Sequence, residues 1–190
     1  MPRPIFCSER VLMDVWKTKA RETVFEAAPY VKVAKETVEL PDGRLIDDFY
    51  QLELRSFALV VPVMDDGSVM MLRQYKHGPR KVSVTFPAGF IDPGEGPEAA
   101  AQRELMEETG LAVGTLTPMG SYVDNANQKG CEGHYFLARG CRRVAKPDAG
   151  DLEEMQEELW TIEELDRAML NGDLAVTHHV AAWGMARLRL

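Results

Sequence analysis

The stretch that decides the fold runs from residue 89 to residue 111 and reads GFIDPGEGPEAAAQRELMEETGL. Its first part is a loop rich in glycine and proline. From Pro97 the sequence predicts a helix to about Glu108, because proline is favoured at the first helical position and Gly110 follows the last turn. On a helix that turns about 100° per residue, Glu104, Glu107 and Glu108 fall within an arc of roughly 100°.

Three carboxylates on one helix face repel one another, and Arg103 alone cannot neutralise them. A solvated acidic surface is the simplest interpretation of such a face. The glycine-rich loop ahead of the helix favours a different interpretation, a metal site, because glycine allows the backbone to approach a metal ion and a phosphate closely. Mg²⁺ takes carboxylate oxygens and keeps water and substrate phosphates in its remaining positions. The pattern therefore favours a Mg²⁺ site.

The segments on either side of this stretch predict further strands and helices. Apolar runs, turn sequences and a capping box at Thr161 mark them. The last helix, from about Thr177, has Val180, Trp183 and Leu188 as core candidates. The predicted strands are 31–40, 45–54, 58–64, 69–75, 82–87, 111–116 and 133–138, and a further helix is predicted from 161 to about 170. Without a regular alternation of strand and helix, this order indicates an α/β domain with a mixed sheet.

Composition excludes several classes of protein. A chain of 190 residues suits one domain with at most a small appendage. The net charge of −8 argues against a nucleic-acid-binding surface. No apolar run approaches the roughly 20 residues of a membrane helix, and residues 1–7 lack the apolar core of a signal peptide. We therefore expect a cytoplasmic protein without nucleic-acid or membrane partners.

Cysteine and histidine show no metal-binding spacing. Cys7, Cys131 and Cys141 form no C-x-x-C pair, which favours reduced thiols over a disulfide or a zinc site. The four histidines are likewise interpreted as structural or surface groups; they are His77, His134, His178 and His179.

The stretch 89–111 resembles the signature of the Nudix hydrolases. That pattern reads G, five residues, E, seven residues, then R-E-U-x-E-E-x-G-U, with U a bulky aliphatic residue. Every specified position is filled, by Gly89, Glu95, Arg103, Glu104, Leu105, Glu107, Glu108, Gly110 and Leu111. The resemblance implies an α/β/α sandwich with a mixed sheet, in which the loop and helix of the signature form the metal site.

The resemblance also implies a role for each residue. Glu104 and Glu108 would be the principal Mg²⁺ ligands, with Mn²⁺ possible in its place, and Glu107 would support a further ion. The carbonyl of Ala88 would be a backbone metal ligand. Arg103 would orient the glutamates as part of the catalytic machinery, and Glu95 would brace the loop or join the metal shell.

Outside the signature the chain is similar to one Nudix branch, the ADP-ribose pyrophosphatases and nucleoside-diphosphate-sugar hydrolases. The similarity rests on LRQYK at 72–76, FPAG at 86–89 and the N-terminal strands. It implies a small antiparallel β segment, residues 1–57, that exchanges between the subunits of a homodimer and walls the substrate site, followed by a hydrolase domain, residues 58–190. Thr85 stands where the branch usually has glutamate, and residues 124–128 (DNANQ) stand where it tends to carry Pro-Gly. Both departures concern the ADP-ribose specificity and leave the reaction class intact.

Activation of water requires a base, and in this branch the base lies on a loop after the sheet. The matching region is 151–158, with Glu153 and Glu154 as candidates beside the alternative of a merely solvated acidic loop. Arg73 would clamp a substrate phosphate, or is a surface residue at a strand end.

The resemblance implies Mg²⁺-dependent hydrolysis of the diphosphate linkage of ADP-ribose or a nucleotide sugar to two monophosphates. The alternatives are a dinucleoside polyphosphate or nucleoside triphosphate hydrolase, and a Nudix-fold module that senses a nucleotide without turning it over.

Overall fold

The computed structural model of the protein describes residues 13–148, 150 and 154–190. The chain divides into two units, Met1–Glu53 and Leu54–Leu190. Among the described helices, none has the length and apolar character needed to cross a membrane.

From residue 13 onward, the first unit contains three strands, β1 (Lys17–Ala27), β2 (Val31–Glu39) and β3 (Leu45–Leu54). β1 pairs antiparallel with β2, and β2 lies between β1 and β3. In the β2–β3 turn the Leu40 N–H donates to the Arg44 carbonyl at 2.8 Å. The predicted hairpin around Pro41–Arg44 is therefore confirmed. Arg21 on β1 forms ion pairs with Glu36 and Glu53, which ties the three strands together.

The described residues of the second unit form eight strands and three helices. In chain order they are β4 (Phe57–Met64), β5 (Val69–Lys76), β6 (Lys81–Thr85), β7 (Ala88–Phe90), α1 (Pro97–Thr109), β8 (Leu111–Ala112), β9 (Thr115–Asn125), β10 (Lys129–Arg143), β11 (Gln156–Trp160), α2 (Ile162–Asn171) and α3 (Thr177–Arg187). The central strands of its sheet follow the order β10-β4-β5-β11. β4 runs parallel to β10 and antiparallel to β5, so the sheet is mixed. β7 pairs with β4, β6 with β5, and β8 and β9 with β10.

Alternate side chains of the central strands point to two separate cores. Leu59 and Val61 on β4 pack on the same side as Trp183 of α3 and Leu165 of α2. Ala58 and Val60 pack on the other side, in a cluster that includes Leu105 of α1. This period of two is what a strand buried on both faces requires. The helices thus cover both faces of the sheet, and the predicted α/β/α sandwich is confirmed.

The helices begin and end where the sequence predicts. Pro97 opens α1, and Gly110 follows it in a left-handed conformation with φ 64°. Thr161 and Glu164 form the predicted capping box at the start of α2. Of the core candidates on the last helix, Trp183 is fully buried, but Leu188 lies beyond α3 and is 87% exposed, so that prediction was wrong.

Strand β11 also differs from the prediction, which placed residues 151–158 in a loop. Residues 156–160 pair antiparallel with β5, and Gln156 lies opposite Arg73. The residues QEELW carry little apolar alternation, because the strand is partly exposed along its length. Pairing with β5, and not the local pattern, makes this segment a strand.

Candidate active site

The start of the signature loop lies beside helix α1. β7 pairs with β4, placing Ala88 opposite Leu59 and Gly89 opposite Ala58. A Cβ atom added to Gly89 would lie 2.0 Å from Oε1 of Glu104. A side chain at position 89 would therefore occupy the space of the Glu104 carboxylate. The absence of a side chain lets backbone and carboxylate approach each other.

Glu108 of α1 binds the residue before Gly89, which is Ala88. It is buried, with 5% of its surface exposed, and its Oε2 accepts the Ala88 N–H at 3.0 Å. A buried carboxylate is costly unless it is hydrogen-bonded or bound to a cation. Ala88 and Gly89 are thus each in contact with a different glutamate of α1.

Arg103 organises the remaining carboxylates. Its guanidinium donates to both carboxylate oxygens of Glu95 at 2.9 Å, to Glu104 at 2.7 Å and to Glu107 at 3.0 Å. It also donates to the Phe90 carbonyl at 2.9 Å, which fastens the loop to the helix. These hydrogen bonds, above all those that Arg103 donates to Glu95, raise the pKa of Arg103, and the guanidinium in turn lowers the pKa of Glu95.

The chemistry of this cluster fits a divalent cation. Four carboxylates and one guanidinium give a formal charge of −3 around Arg103 and the Ala88 N–H. The ligand atoms on offer are carboxylate and backbone oxygens, which Mg²⁺ and Mn²⁺ prefer. The structure therefore brings together the predicted metal-site residues Ala88, Glu104, Glu107 and Glu108 with Arg103.

Two further predicted residues, Arg73 and Glu154, lie outside the signature. Arg73 and Glu154 both line an open pocket of about 530 Å³ at the β5–β11 edge. The Arg73 guanidinium donates to both carboxylate oxygens of Glu158, at 2.5 and 2.9 Å. Glu154 is exposed, and Glu153 lies outside the described residues.

Sequence reasoning missed the partner of Arg73. Glu158 lies 85 positions away from it, and Trp160 donates its indole N–H to Glu158 at 2.7 Å. Only the β5–β11 register brings these residues together. A local pattern carries no signal for this contact.

Two family models match the chain. The NUDIX domain matches residues 54–180, more than half of the chain. The chain belongs to the Nudix family. The model of the nucleoside diphosphate sugar hydrolase N-terminal domain matches residues 16–52.

Curated relatives extend the match to named enzymes. An ADP-ribose pyrophosphatase of Bacillus subtilis is 33% identical over 122 residues, which are 64% of this chain and 65% of that protein. An ADP-ribose pyrophosphatase of Mycobacterium tuberculosis is 30% identical over 164 residues, 84% of this chain and 77% of that protein. These matches confirm the predicted branch, and the predicted enzyme class, a Nudix pyrophosphohydrolase, is confirmed as well.

A solved structure supports the fold. The crystal structure of an ADP compounds hydrolase superposes with a TM-score of 0.81 at 22% identity, over 94% of this chain and 95% of that one. At this identity the likeness concerns the fold, which it shows to be the predicted Nudix fold.

Proposed function

We propose that the protein hydrolyses the diphosphate linkage of a nucleoside diphosphate joined to a sugar, either ADP-ribose or a nucleotide sugar, with Mg²⁺ as cofactor. The observation that carries the proposal is a cluster of four glutamates, three bound to Arg103 and the fourth, Glu108, bound to the Ala88 N–H, whose formal negative charge exceeds that of the one guanidinium. The match of residues 16–52 to the N-terminal domain of nucleoside diphosphate sugar hydrolases supports this substrate class, and so do the names of the two relatives.

The reaction adds water across one P–O–P bridge. A bond forms between the water oxygen and one phosphorus, the bridging P–O bond breaks, and two phosphomonoesters leave. Glu104, Glu107, Glu108 and the Ala88 carbonyl would hold the cation, which when bound neutralises phosphate charge and makes water more acidic. Arg103 keeps the carboxylates oriented toward that position.

A carboxylate after the sheet would take the proton of the attacking water. Glu153 and Glu154 remain the two candidates, and Glu154 lies beside the pocket at the β5–β11 edge. We expect one of Glu153→Gln and Glu154→Gln, but not both, to lower turnover without changing metal affinity. Glu157→Gln is the matched control, because Glu157 is already paired with Arg143 at 2.7 Å. Equal turnover in all three variants would place the base elsewhere.

A substrate panel tests the proposed activity. Purified protein with Mg²⁺ is assayed for phosphomonoester release from ADP-ribose, GDP-mannose, ADP-glucose, diadenosine polyphosphates, NADH and nucleoside triphosphates. We expect ADP-ribose or a nucleotide sugar to be cleaved fastest, and removal of the metal with excess EDTA to abolish turnover. Faster cleavage of diadenosine polyphosphates or triphosphates would contradict the substrate class. Nucleotide binding without turnover would instead indicate a sensing module.

We further propose a homodimer formed through residues 1–57, in which the N-terminal strands wall the substrate site of the partner. Ten of the eleven residues of β1 are exposed in the single chain. Trp16, Val24 and Phe25 are each about half exposed, with values of 52%, 46% and 55%. Apolar side chains and an unpaired strand edge in one segment are typical of an interaction surface.

The oligomeric state tests this part of the proposal. Light scattering should give about twice the mass of 21.3 kDa that one chain has. Phe25→Glu should weaken the dimer and lower turnover together, whereas Leu170→Glu, at an 80% exposed position on α2, should change neither. A fully active monomer would rule out a shared site. The cytoplasmic location and the absence of nucleic-acid partners remain predictions from the sequence.

A further inference from the structure

Three metal-binding side chains converge on the sheet face that α3 covers. Asp124 lies near the end of β9, Cys131 lies on β10 and His178 lies in the first turn of α3. One ligand atom from each lies within 4.8 Å of the other two. Cys131 is buried and His178 is half-buried, while Asp124 is exposed. The group therefore lies at the rim of the core, within reach of solvent.

The β9–β10 turn positions the Asp124 carboxylate toward the thiol. Its Oδ1 accepts the Cys131 N–H at 3.1 Å, and its Oδ2 lies 3.3 Å from the Cys131 Sγ. Gly130 has a left-handed φ of 71°, and a Cβ atom there would lie 2.0 Å from Oδ1 of Asp124. Glycine at this position is what leaves room for the carboxylate.

His178 is held against the same group by aromatic packing. Its ring lies 4.7 Å from the ring of Phe57, centroid to centroid. Phe57 also contacts the ring of Tyr135 on β10 at 5.9 Å. Through Phe57, the imidazole therefore packs against β10, the strand that carries Cys131, although His178 lies 47 positions after Cys131 in the chain.

The three groups have the chemistry of a zinc site. Thiolate sulfur, imidazole nitrogen and carboxylate oxygen are the ligands that Zn²⁺ takes in proteins. Tetrahedral bonds of about 2.0–2.3 Å place neighbouring ligand atoms roughly 3.3–3.8 Å apart. The Cys131 Sγ and the Asp124 Oδ2 are already 3.3 Å apart, and the His178 nitrogen lies within 4.8 Å of both, so the imidazole has to move by no more than about an ångström. A thiolate and a carboxylate would together balance the charge of a divalent ion.

We propose that Asp124, Cys131 and His178 form a zinc site separate from the glutamates of α1. Cys131 belongs to the core on the α2–α3 side of the sheet, whereas α1 packs on the opposite side. The two sites also select different ions, because sulfur and nitrogen favour Zn²⁺ and an all-oxygen site favours Mg²⁺. Zinc would join the β9–β10 turn to the start of α3, and three protein ligands leave a fourth position open.

Cobalt substitution tests the site directly. Co²⁺ bound to thiolate gives a near-ultraviolet charge-transfer band, which the oxygen ligands of α1 cannot produce. The full-length Cys7→Ser protein is titrated with Co²⁺ in excess Mg²⁺, and we expect this band with one Co²⁺ per chain. Cys131→Ser should abolish it, and Cys141→Ser should preserve it, because Cys141 is buried in the other core. No thiolate band, or a band that survives Cys131→Ser, would overturn the proposal.

Two conservative variants test the other ligands without depending on Cys131→Ser. His178→Phe keeps a ring against Phe57, and Asp124→Asn keeps an acceptor for the Cys131 N–H. Each should weaken Zn²⁺ binding, measured by calorimetry, by at least about tenfold. Zn²⁺ should also raise the melting temperature of the parent protein more than that of these variants, whose folding is checked by circular dichroism. Unchanged Zn²⁺ affinity in both folded variants would show that the three side chains form only a local hydrogen-bonded group.

Discussion

Two arginines of the second unit differ in how many carboxylates surround them. Arg103 donates to three glutamates, and a fourth, Glu108, binds the neighbouring backbone. Arg73 meets one glutamate, Glu158, in a bidentate pair. Negative charge is left over around Arg103, whereas the charges of Arg73 and Glu158 cancel. The comparison teaches that an arginine within a cluster indicates a cation site only where the carboxylates outnumber it.

The pKa shifts at the two arginines have the same direction. Arg103 lowers the pKa of Glu95, and Arg73 lowers the pKa of Glu158, so both arginines keep carboxylates ionised. At Arg73 this leaves a neutral pair that holds β11 against β5. At Arg103 three carboxylates share one guanidinium, so the formal charge of that group is negative. The former arrangement stabilises the fold, and the latter places like charges side by side, a repulsion that a bound cation would relieve.

The largest effect is expected for Glu108→Gln, which removes one of the surplus charges and keeps the side-chain shape. Turnover should fall by at least about a hundredfold, or roughly 2.7 kcal/mol of transition-state stabilisation. The amide oxygen can still accept the Ala88 N–H, so the melting temperature without metal should not fall. Glu98→Gln, at an exposed position in the first turn of α1, is the control and should keep full activity. An inactive Glu108→Gln protein that is also unfolded would contradict the role assigned to this residue.

A smaller effect is expected for Gly89→Ala, which leaves every charge of the cluster in place and tests whether the close approach of Gly89 to Glu104 matters. The added methyl group would lie 2.0 Å from the Glu104 carboxylate, so that carboxylate must turn away. We expect turnover to fall about tenfold, which corresponds to about 1.4 kcal/mol, with weaker Mg²⁺ affinity. Gly96→Ala is the matched control, because nothing lies within 4 Å of a Cβ atom there. If both variants lost the same activity, the close approach at Gly89 would be irrelevant.

A third comparison separates the two interpretations of Arg73, a phosphate clamp or half of an ion pair. If the pair only holds β11, Arg73→Lys and Glu158→Gln should lower the free energy of unfolding by similar amounts, about 1 kcal/mol, with KM unchanged. A substrate phosphate bound by Arg73 would instead raise KM in Arg73→Lys alone. We expect the first result, because the Arg73 Nε and one of its terminal nitrogens already donate to the two carboxylate oxygens of Glu158. Steady-state kinetics and urea unfolding of the two variants decide it.

The α1 cluster could be predicted from the sequence because its parts lie within one short stretch. Glu104, Glu107 and Glu108 share a helix face by period alone, and the loop that meets them directly precedes the helix. The same reasoning correctly placed the hairpin of β2 and β3, the buried strand β4 and the capping box of α2. In each of these, the residues that specify the element are neighbours in the chain.

What could not be predicted depends on strand register. Arg73 meets Glu158 because β11 pairs with β5, and Asp124, Cys131 and His178 meet because a turn and a distant helix reach the same rim. Linear spacing had favoured simple thiols and structural histidines at these positions. The prediction that Leu188 lies in the core was wrong for another reason. Helical period predicts which face of a helix is buried, but α3 ends at Arg187, and Leu188, the next residue, is exposed to solvent.

The smallest expected effect is the pH dependence of the Arg73–Glu158 pair. Arg73 holds the pKa of Glu158 below the ordinary value of 4.5, so the folded protein binds this proton less readily than the unfolded chain does. The contribution of the pair is therefore complete above that value and is lost as the pH falls through the lowered folded-state pKa. Because Arg73 is 41% exposed, solvent screens the pair and about 1 kcal/mol is the most we expect at neutral pH.

Urea unfolding of the parent protein and Glu158→Gln, from about pH 7 to pH 3, measures this dependence. The difference in unfolding free energy between the two proteins should be largest at neutral pH and should vanish in acid. Asp148→Asn, at an exposed position outside the pair, should show a smaller difference throughout. A difference for Glu158→Gln that stays constant, or grows in acid, would mean that Glu158 stabilises β11 by packing and not by charge. In that case the charge argument would apply to the carboxylates around Arg103 and not to the Arg73–Glu158 pair.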